Sequence, residues 1–260
     1  FSCAISGSTL TVSWDASPDF ETQTDADSNG VYVYTITVGD GTNNADAVTY
    51  TITVTDVNEA PVVANAISDA STNEDAAYSL SLSNVFTDVD SGDSCTYTMS
   101  GAPDTLTLSS GTISGTPVNA NVGTHTITVS CSDGALSVSD QYTLTVVNTN
   151  DAPTVSSAIA DASTAEDASY SLSVSGMCTD VDAGDSLAYT ISGAPSTITI
   201  SGTTISGTPV NADVGTHTIT VTCTDDTGTT ASDSYVLTVA NTNDAPTVAT
   251  TIADVTNAED

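Results

Sequence analysis

The chain repeats itself about every 92 residues, so its fold must be assembled from copies of one small unit. Three seams share one acidic punctuation: Asn58-Glu59-Ala60-Pro61, Asn150-Asp151-Ala152-Pro153 and Asn243-Asp244-Ala245-Pro246. Downstream of the first two lies a recurring loop, Thr87-Asp88-Val89-Asp90-Ser91-Gly92-Asp93 and Thr179-Asp180-Val181-Asp182-Ala183-Gly184-Asp185. Residues 62–153 and 154–246 read as two full units. Residues 1–61 read as the back part of another, and 247–260 as the first strands of a further one, a window on a longer protein. A carboxylate cluster that recurs with the domain period belongs to an array. It points to cations at the joints of a modular protein rather than to one active site.

The charge narrows the partners. There are 33 acidic residues and no Lys or Arg, a formal net charge of −33. No acid can be neutralised by a protein cation, so metal ions, salt or spacing must relieve the repulsion. Nucleic acid and anionic membrane surfaces are excluded as partners, because phosphate binding rests on Lys and Arg. No membrane-inserting segment is expected. Disorder does not fit either, since 38% of the residues are hydrophobic and they alternate. Ser and Thr make up roughly a third of the chain, and no Asn-x-Ser/Thr sequon occurs.

The alternation has period two. Val31–Val38, His125–Cys131 and Tyr142–Val146 are β-branched or aromatic on one face, polar on the other, and bounded by Gly, Asp, Asn or Pro. A full unit holds about seven such runs, which predicts an all-β, Ig-like sandwich. In 62–153 the strands are expected near 62–68, 78–84, 95–100, 105–108, 111–115, 123–132 and 137–148. Cys131 and Cys223 hold matched places on the sixth strand. Their expected partners have moved: Cys95 stands where the second unit has Leu187, and Cys178 where the first has Phe86. The third and sixth strands of such a sandwich are neighbours, so bridges Cys95–Cys131 and Cys178–Cys223 are expected, with an oxidising compartment. Cys3 is left over.

These motifs resemble the cadherin superfamily as found in bacterial and archaeal surface proteins. Asp19-Phe20-Glu21 resembles the family's D-R-E motif, with Asp25-Ala26-Asp27 following. Asp56-Val57-Asn58-Glu59-Ala60-Pro61 resembles its D-x-N-D-N-A-P linker. The full units resemble the dystroglycan-type, putative-Ig variety through Gly101-Ala102-Pro103…Ile113-Ser114-Gly115-Thr116-Pro117 and Gly193-Ala194-Pro195…Ile205-Ser206-Gly207-Thr208-Pro209. The resemblance implies calcium at the joints. For the first joint it nominates Asp19, Glu21, Asp56, Asn58 and Glu59, with Asp88, Asp90, Asp93 and Asp133. For the second it nominates Glu74, Asn148, Asn150 and Asp151, with Asp180, Asp182, Asp185 and Asp225. The full units depart from D-R-E: their matching loops read Asn119-Ala120-Asn121 and Asn211-Ala212-Asp213, which implies fewer or weaker ions.

The donor chemistry supports the same ion. Calcium takes six to eight oxygens, and Asp-x-Asp-x-Gly-Asp offers three carboxylates on a short loop. Magnesium tolerates irregular protein cages poorly, and zinc would want the cysteines or clustered histidines. The competing reading makes these Asp residues turn formers that bond the local backbone. No catalytic constellation stands out. His125 and His217 recur at strand starts as surface residues, the chain is 5% aromatic, and Trp14 reads as core.

The expected function is therefore structural: an extracellular, cell-surface, calcium-stiffened array, either the stalk of a large adhesin or the body of a filament. Its partners would be calcium and copies of itself or a surface ligand. A carbohydrate- or protein-binding adhesion module, or accessory repeats of a secreted hydrolase, are the alternatives. The partial sandwiches would be completed by the same long chain, which is favoured, or by a neighbour's strands.

Overall fold

In the computed structural model, residues 2–23, 29–40, 42–257 and 259 are described; Asp25 and Asp27 of the acidic loop lie outside them. The chain divides into two units, Phe1–Val147 and Asn148–Asp260. Nearly every described element is a strand. The exceptions are two single 3-10 turns, Asn119–Asn121 and Asn211–Asp213.

The first unit opens with two hairpins. Strand β1 (Ser2–Ser6) pairs with β2 (Thr9–Ser13), and β3 (Val31–Ile36) with β4 (Val48–Thr53). Trp14 packs edge-on against Tyr32, ring centroids 5.0 Å apart, which ties the two hairpins together.

A complete sandwich follows: β5 (Val62–Val63), β6 (Ala70–Asn73), β7 (Tyr78–Ser81), β8 (Phe86–Thr87), β9 (Thr96–Ser100), β10 (Leu106–Ser109), β11 (Thr112–Gly115), β12 (Gly123–Ser132) and β13 (Ser137–Val147). One sheet has the order β10-β11-β7 and the other β6-β13-β12-β9, with β5 and β8 forming a short extra pair. Between the sheets Leu82, Ile113, Ile127, Val129 and Leu144 are fully buried. The second unit repeats the plan with β14 (Thr154–Val155), β15 (Ala162–Ala165), β16 (Tyr170–Ser173), β17 (Cys178–Thr179), β18 (Ala188–Ser192), β19 (Ile198–Ser201), β20 (Thr204–Gly207), β21 (Gly215–Thr224) and β22 (Thr230–Ala240). Its sheets run β16-β20-β19 and β15-β22-β21-β18 around Ile205, Ile219, Val221 and Leu237.

Six of the seven expected strands form near their expected places; the first shrinks from 62–68 to Val62–Val63, and two strands are additional. β6 reads Ala-Ser-Thr-Asn and carries no apolar alternation, and β8 is two residues long. What fixes β6 is distant in sequence. It pairs in parallel with β13, Ala70 opposite Leu144. Two carboxylates brace that pairing: Asp69 Oδ1 accepts from Thr143 N (2.7 Å), and Asp140 Oδ2 accepts from Ile67 N (2.6 Å). Asp161 with Val236 N and Asp233 with Ile159 N repeat the device. Hydrogen bonds to an ionised acceptor are among the stronger ones. The Gly-Ala-Pro motif also has a local reason. Gly101 has φ +77°, and a Cβ there would sit 2.2 Å from Thr126 O; Gly193 meets Thr218 O in the same way.

Along β12 and β13 the outer face of the larger sheet carries hydroxyls at every position but Gln141. Along β12 and β13 the outward register pairs are Thr124–Thr145, Thr126–Thr143, Thr128–Gln141, Ser130–Ser139 and Ser132–Ser137. Like charges directly opposite one another destabilise a sheet. With no Lys or Arg to alternate with, a carboxylate face would consist of such pairs, and threonine is the polar β-former that remains.

Disulfides join Cys95 to Cys131 and Cys178 to Cys223; Cys3 is free and exposed. The first bridge ties the start of β9 to its sheet neighbour β12. The second ties β17, which pairs with β14, to β21 of the four-stranded sheet. Alkylation of the unreduced native protein should therefore label Cys3 alone. Loss of either bridge should destabilise its unit by about 2–5 kcal/mol in denaturant melts.

Each core holds one polar pair. The hydroxyls of Tyr78 and Tyr142 meet at 3.3 Å, and those of Tyr170 and Tyr235 at 3.2 Å. Burial, with the hydrogen bond to Tyr78, pushes the Tyr142 phenol well above its usual range. Tyr142→Phe should leave the Tyr78 hydroxyl unpaired and lower stability by about 1–3 kcal/mol. Tyr78→Phe with Tyr142→Phe should come back close to the parent, measured by the same melts.

Candidate metal centres

The recurring acidic loop is a turn that orders its own carboxylates. Asp88 Oδ1 accepts from Asp90 N (3.1 Å), Asp93 N donates to Asp90 O (3.3 Å), and Gly92 takes φ +107° to close the bend. Two oxygens of this loop, Asp88 Oδ2 and Asp90 Oδ1, are buried with no hydrogen-bond partner, and Asp90 is only 8% exposed.

The preceding seam is stitched to this loop. Glu59 N donates to Asp90 Oδ2 (2.8 Å), and Asn58 Nδ2 donates to Asp133 Oδ2 (3.1 Å) and to Glu59 O (2.9 Å). Asp133 is set in turn by Ala135 N and Leu136 N on its Oδ1. Two groups of carboxylates result. Glu21, Asp56, Glu59 and Asp90 each bring one oxygen within 4.8 Å of the others, and so do Asp88, Asp93 and Asp133.

The second unit repeats the stitching. Asp182 N donates to Asp180 Oδ1 (3.0 Å), Asp151 N to Asp182 Oδ2 (2.7 Å), and Asn150 Nδ2 to Asp225 Oδ2 (3.0 Å). Asp180, Asp185 and Asp225 converge within the same 4.8 Å. Asp180 Oδ2 and Asp185 Oδ2 are buried and unpartnered.

The electrostatics divide these acids into two kinds. Burial raises the Asp93 carboxyl, and repulsion from Asp88, Asp90 and Asp133 raises it further. Asp185 is raised by burial and then by Asp180 and Asp226, and Glu59 by burial and then Asp90. Glu21 is raised chiefly by burial, with Asp19, Glu59 and Asp56 adding to it. Asp225 goes the other way. Burial opposes its ionisation, but hydrogen bonds from Thr229, Asn150 and Thr227 outweigh it and hold the carboxyl well below the usual range. Asp133 is lowered first by Leu136 N and Ala135 N. Turn-held Asp133 and Asp225 therefore stay ionised beside neighbours that resist ionisation.

Asp19 turns Oδ1 to its own backbone, accepting from Glu21 N (3.0 Å) and Thr22 N (3.2 Å), and is not among the four converging carboxylates. Glu74 is buried, 2% exposed, at the end of β6, its N–H donating to Val147 O (3.0 Å); Asn148 is exposed just past β13. Sequence reasoning passed over Glu166, the repeat of Glu74. It too is 2% exposed, accepts from Thr242 N on Oε1 (2.6 Å), and has Oε2 buried without a partner. The signal was available, since Glu166 stands 92 residues after Glu74.

The loops that replace D-R-E are turned inward. Asn121 Oδ1 accepts from Thr105 Oγ1 and Val118 N, and its Nδ2 donates to Asp104. Asp213 Oδ2 accepts from Thr197 Oγ1 (2.7 Å) and Val210 N (2.9 Å). His125 and His217 each set a ring nitrogen 2.7 Å from the backbone oxygen of that residue, a structural use.

The converging groups are made of carboxylates alone, with several oxygens buried and no protein donor to meet them. A buried polar atom without a partner is costly, and an array of hard oxygens with no cation of its own fits a hard divalent cation.

Comparison with known proteins follows the repeat. The family described as putative Ig domain matches residues 60–147 and again 152–240. The serine-rich adhesin for platelets of Staphylococcus aureus (strain MRSA252) is 39% identical over 151 residues, which is 55% of this chain but 10% of that protein's length. Domains EC22-24 of mouse cadherin-23 align over 85% of this chain and 78% of their own, at 17% identity and a TM-score of 0.52, a likeness of fold alone. An endo-fucoidan hydrolase of glycoside hydrolase family 107 aligns over 93% of this chain and 39% of its own, at 24% identity and a TM-score of 0.37. With a match to each complete sandwich, the chain belongs to the putative Ig domain family.

Proposed function

We propose that the chain is a segment of an extracellular adhesion protein, a tandem array of β-sandwiches stiffened by calcium at its seams. The observation that carries this reading is the four-carboxylate group of Glu21, Asp56, Glu59 and Asp90, whose member Asp90 also has a buried oxygen with no hydrogen-bond partner. Glu59 and Asp56 come from the seam, and Asp90 from the sandwich that follows it. An ion bridging them would fix the seam to that sandwich, and its removal would leave mutual repulsion. Asp88, Asp93 and Asp133, and in the second unit Asp180, Asp185 and Asp225, would hold further ions. The structural disulfides suit an oxidising compartment, and the likeness to a staphylococcal adhesin supports a place at the cell surface. Such a segment would serve as the stalk of an adhesin or the body of a filament. No helix among the described residues is long and apolar enough to cross a membrane.

Calorimetric titration of chelator-treated protein at low ionic strength should show saturable calcium uptake and weaker magnesium uptake. No uptake would overturn the reading. Asp90→Asn should weaken uptake in the first unit by tenfold or more, about 1.4 kcal/mol. It should leave the melting of the chelated protein nearly unchanged, because the side chain lies in a loop outside the apolar core.

The pH response follows from the raised carboxyls. Glu21, Glu59, Asp93 and Asp185 hold protons more tightly folded than unfolded, so in chelator they oppose folding at neutral pH. Their penalty fades as pH falls toward the carboxylate range. The melting temperature of the chelated protein should thus rise as pH falls from neutral toward the carboxylate range, and calcium should abolish that rise.

A further inference from the structure

The two bridges are placed differently, yet each ends beside the same carboxylates. Cys131 lies two residues before Asp133, and Cys223 two before Asp225. Cys95 lies two residues after Asp93, at the exit of the acidic loop, and Cys178 lies two before Asp180, at its entry. Each disulfide thus joins the acidic loop to the strand that leads into the third acid of its trio. The trios are Asp88, Asp93 and Asp133 in the first unit, and Asp180, Asp185 and Asp225 in the second.

The arm of the loop that lacks the bridge is fastened by other means. In the first unit the entry holds Phe86 in place of Cys178. Its ring packs against Tyr97, centroids 6.0 Å apart, and Tyr97 stands opposite Cys131 in the sheet. In the second unit the exit holds Leu187 in place of Cys95. Beside it Ser186 N donates to Asp226 Oδ2 (3.3 Å) and Ser186 Oγ to Asp226 Oδ1 (2.6 Å), in the turn that follows Asp225. The first unit has Gly134 after Asp133 and so has no such acceptor. What the two units share is the connection between the loop and the strand of the third acid; the covalent tie has changed arms.

We propose that the disulfides are positioning elements of the two trios, holding the acidic loop against its third carboxylate so that the group is assembled before an ion arrives. The proposal rests on the calcium reading of those trios. Without an ion, three carboxylates with oxygens within 4.8 Å of one another repel, and parting the loop from the turn is the motion that relieves them. Asp88 Oδ2 in the first trio, and Asp180 Oδ2 and Asp185 Oδ2 in the second, are buried without a hydrogen-bond partner, so no protein donor offsets the repulsion at those atoms. The bridges limit the parting, with Cα atoms 5.1 Å apart in the first and 6.6 Å in the second. The acids are then gathered by folding and oxidation and not at the moment of binding, which is preorganisation. Linkage makes the effect reciprocal: whatever factor the bridge adds to calcium affinity, bound calcium adds to the preference for the oxidised bridge.

The test uses the whole chain in a Cys3→Ser background, which removes the spare thiol. Cys95→Leu with Cys131→Ala deletes the first bridge, with the leucine that the second unit carries at that place. Calorimetric titration should show calcium bound about tenfold more weakly in the first unit and unchanged in the second. Denaturant melts separate positioning from mere stabilisation. A bridge that only stabilises costs the same in calcium as in chelator, whereas a positioning bridge costs more in calcium. Asp133→Asn should erase that difference. Phe86→Cys with Cys95→Leu moves the bridge to the arm used in the second unit and should restore most of the lost affinity; it also keeps the test alive if the bridge-free unit does not fold. Equal cost in calcium and chelator, or a moved bridge that forms and leaves calcium tenfold weaker, overturns the positioning role while the calcium reading stands. A parent chain that takes up no calcium overturns both.

Discussion

A chain with 33 carboxylates and no lysine or arginine must find another way to hold each negative charge. Three ways are visible. Backbone N–H groups meet some acids, and there the carboxylate becomes a structural brace: Asp69 and Asp140 fasten the first strands of a sandwich to its last, as Asp161 and Asp233 do in the repeat. Side-chain amides and hydroxyls meet others, as Asn150 and Thr229 do at Asp225. The third set, in the acidic loops, keeps buried oxygens that nothing in the protein meets. The same constraint shapes the surface, because acids cleared from the outward strand positions leave rows of threonine and serine on the larger sheet. Sheet faces, braces and loops are three answers to one shortage.

The seams show where that shortage becomes an organising device. Asn58 and Asn150 each donate to the acid 75 residues downstream, Asp133 and Asp225. Glu59 N and Asp151 N each donate to the acid 31 residues downstream, Asp90 and Asp182. A seam is therefore held by the sandwich that follows it, through bonds that leave one carboxylate oxygen of Asp90 buried without a hydrogen-bond partner. The seam is ordered by the same loop that gathers the charge, so holding the linker and concentrating the acids are one act of folding.

Much of this could be read from residues in order. Period-two alternation located the long strands, and matched cysteines identified both bridges, because each signal is local or repeats at a fixed interval. The acidic loop was legible for the same reason. What escaped was set by contacts distant in sequence. β6 has no apolar rhythm and exists because β13 and two carboxylates hold it. The inward turn of Asn121 and Asp213 depends on Thr105 and Thr197, a relation that composition does not show. Asp19 looked like one more acid of its motif, yet a turn of its own backbone takes up one of its oxygens. Chemistry was legible, and the direction in which each side chain points was not.

The two bridges give the sandwiches different behaviour under tension. A disulfide withholds the chain between its cysteines from extension when the protein is pulled from its ends. Cys95–Cys131 spans a separation of 36 residues and Cys178–Cys223 one of 45. At about 3.3–3.6 Å per extended residue, the first withholds roughly 120–130 Å of slack and the second roughly 150–160 Å. A torn unit thus lengthens only by the strands outside its bridge, so a pulled chain yields in short, unequal steps. Reduction would release the remainder, which makes the reach of the overstretched protein a function of the redox state around it.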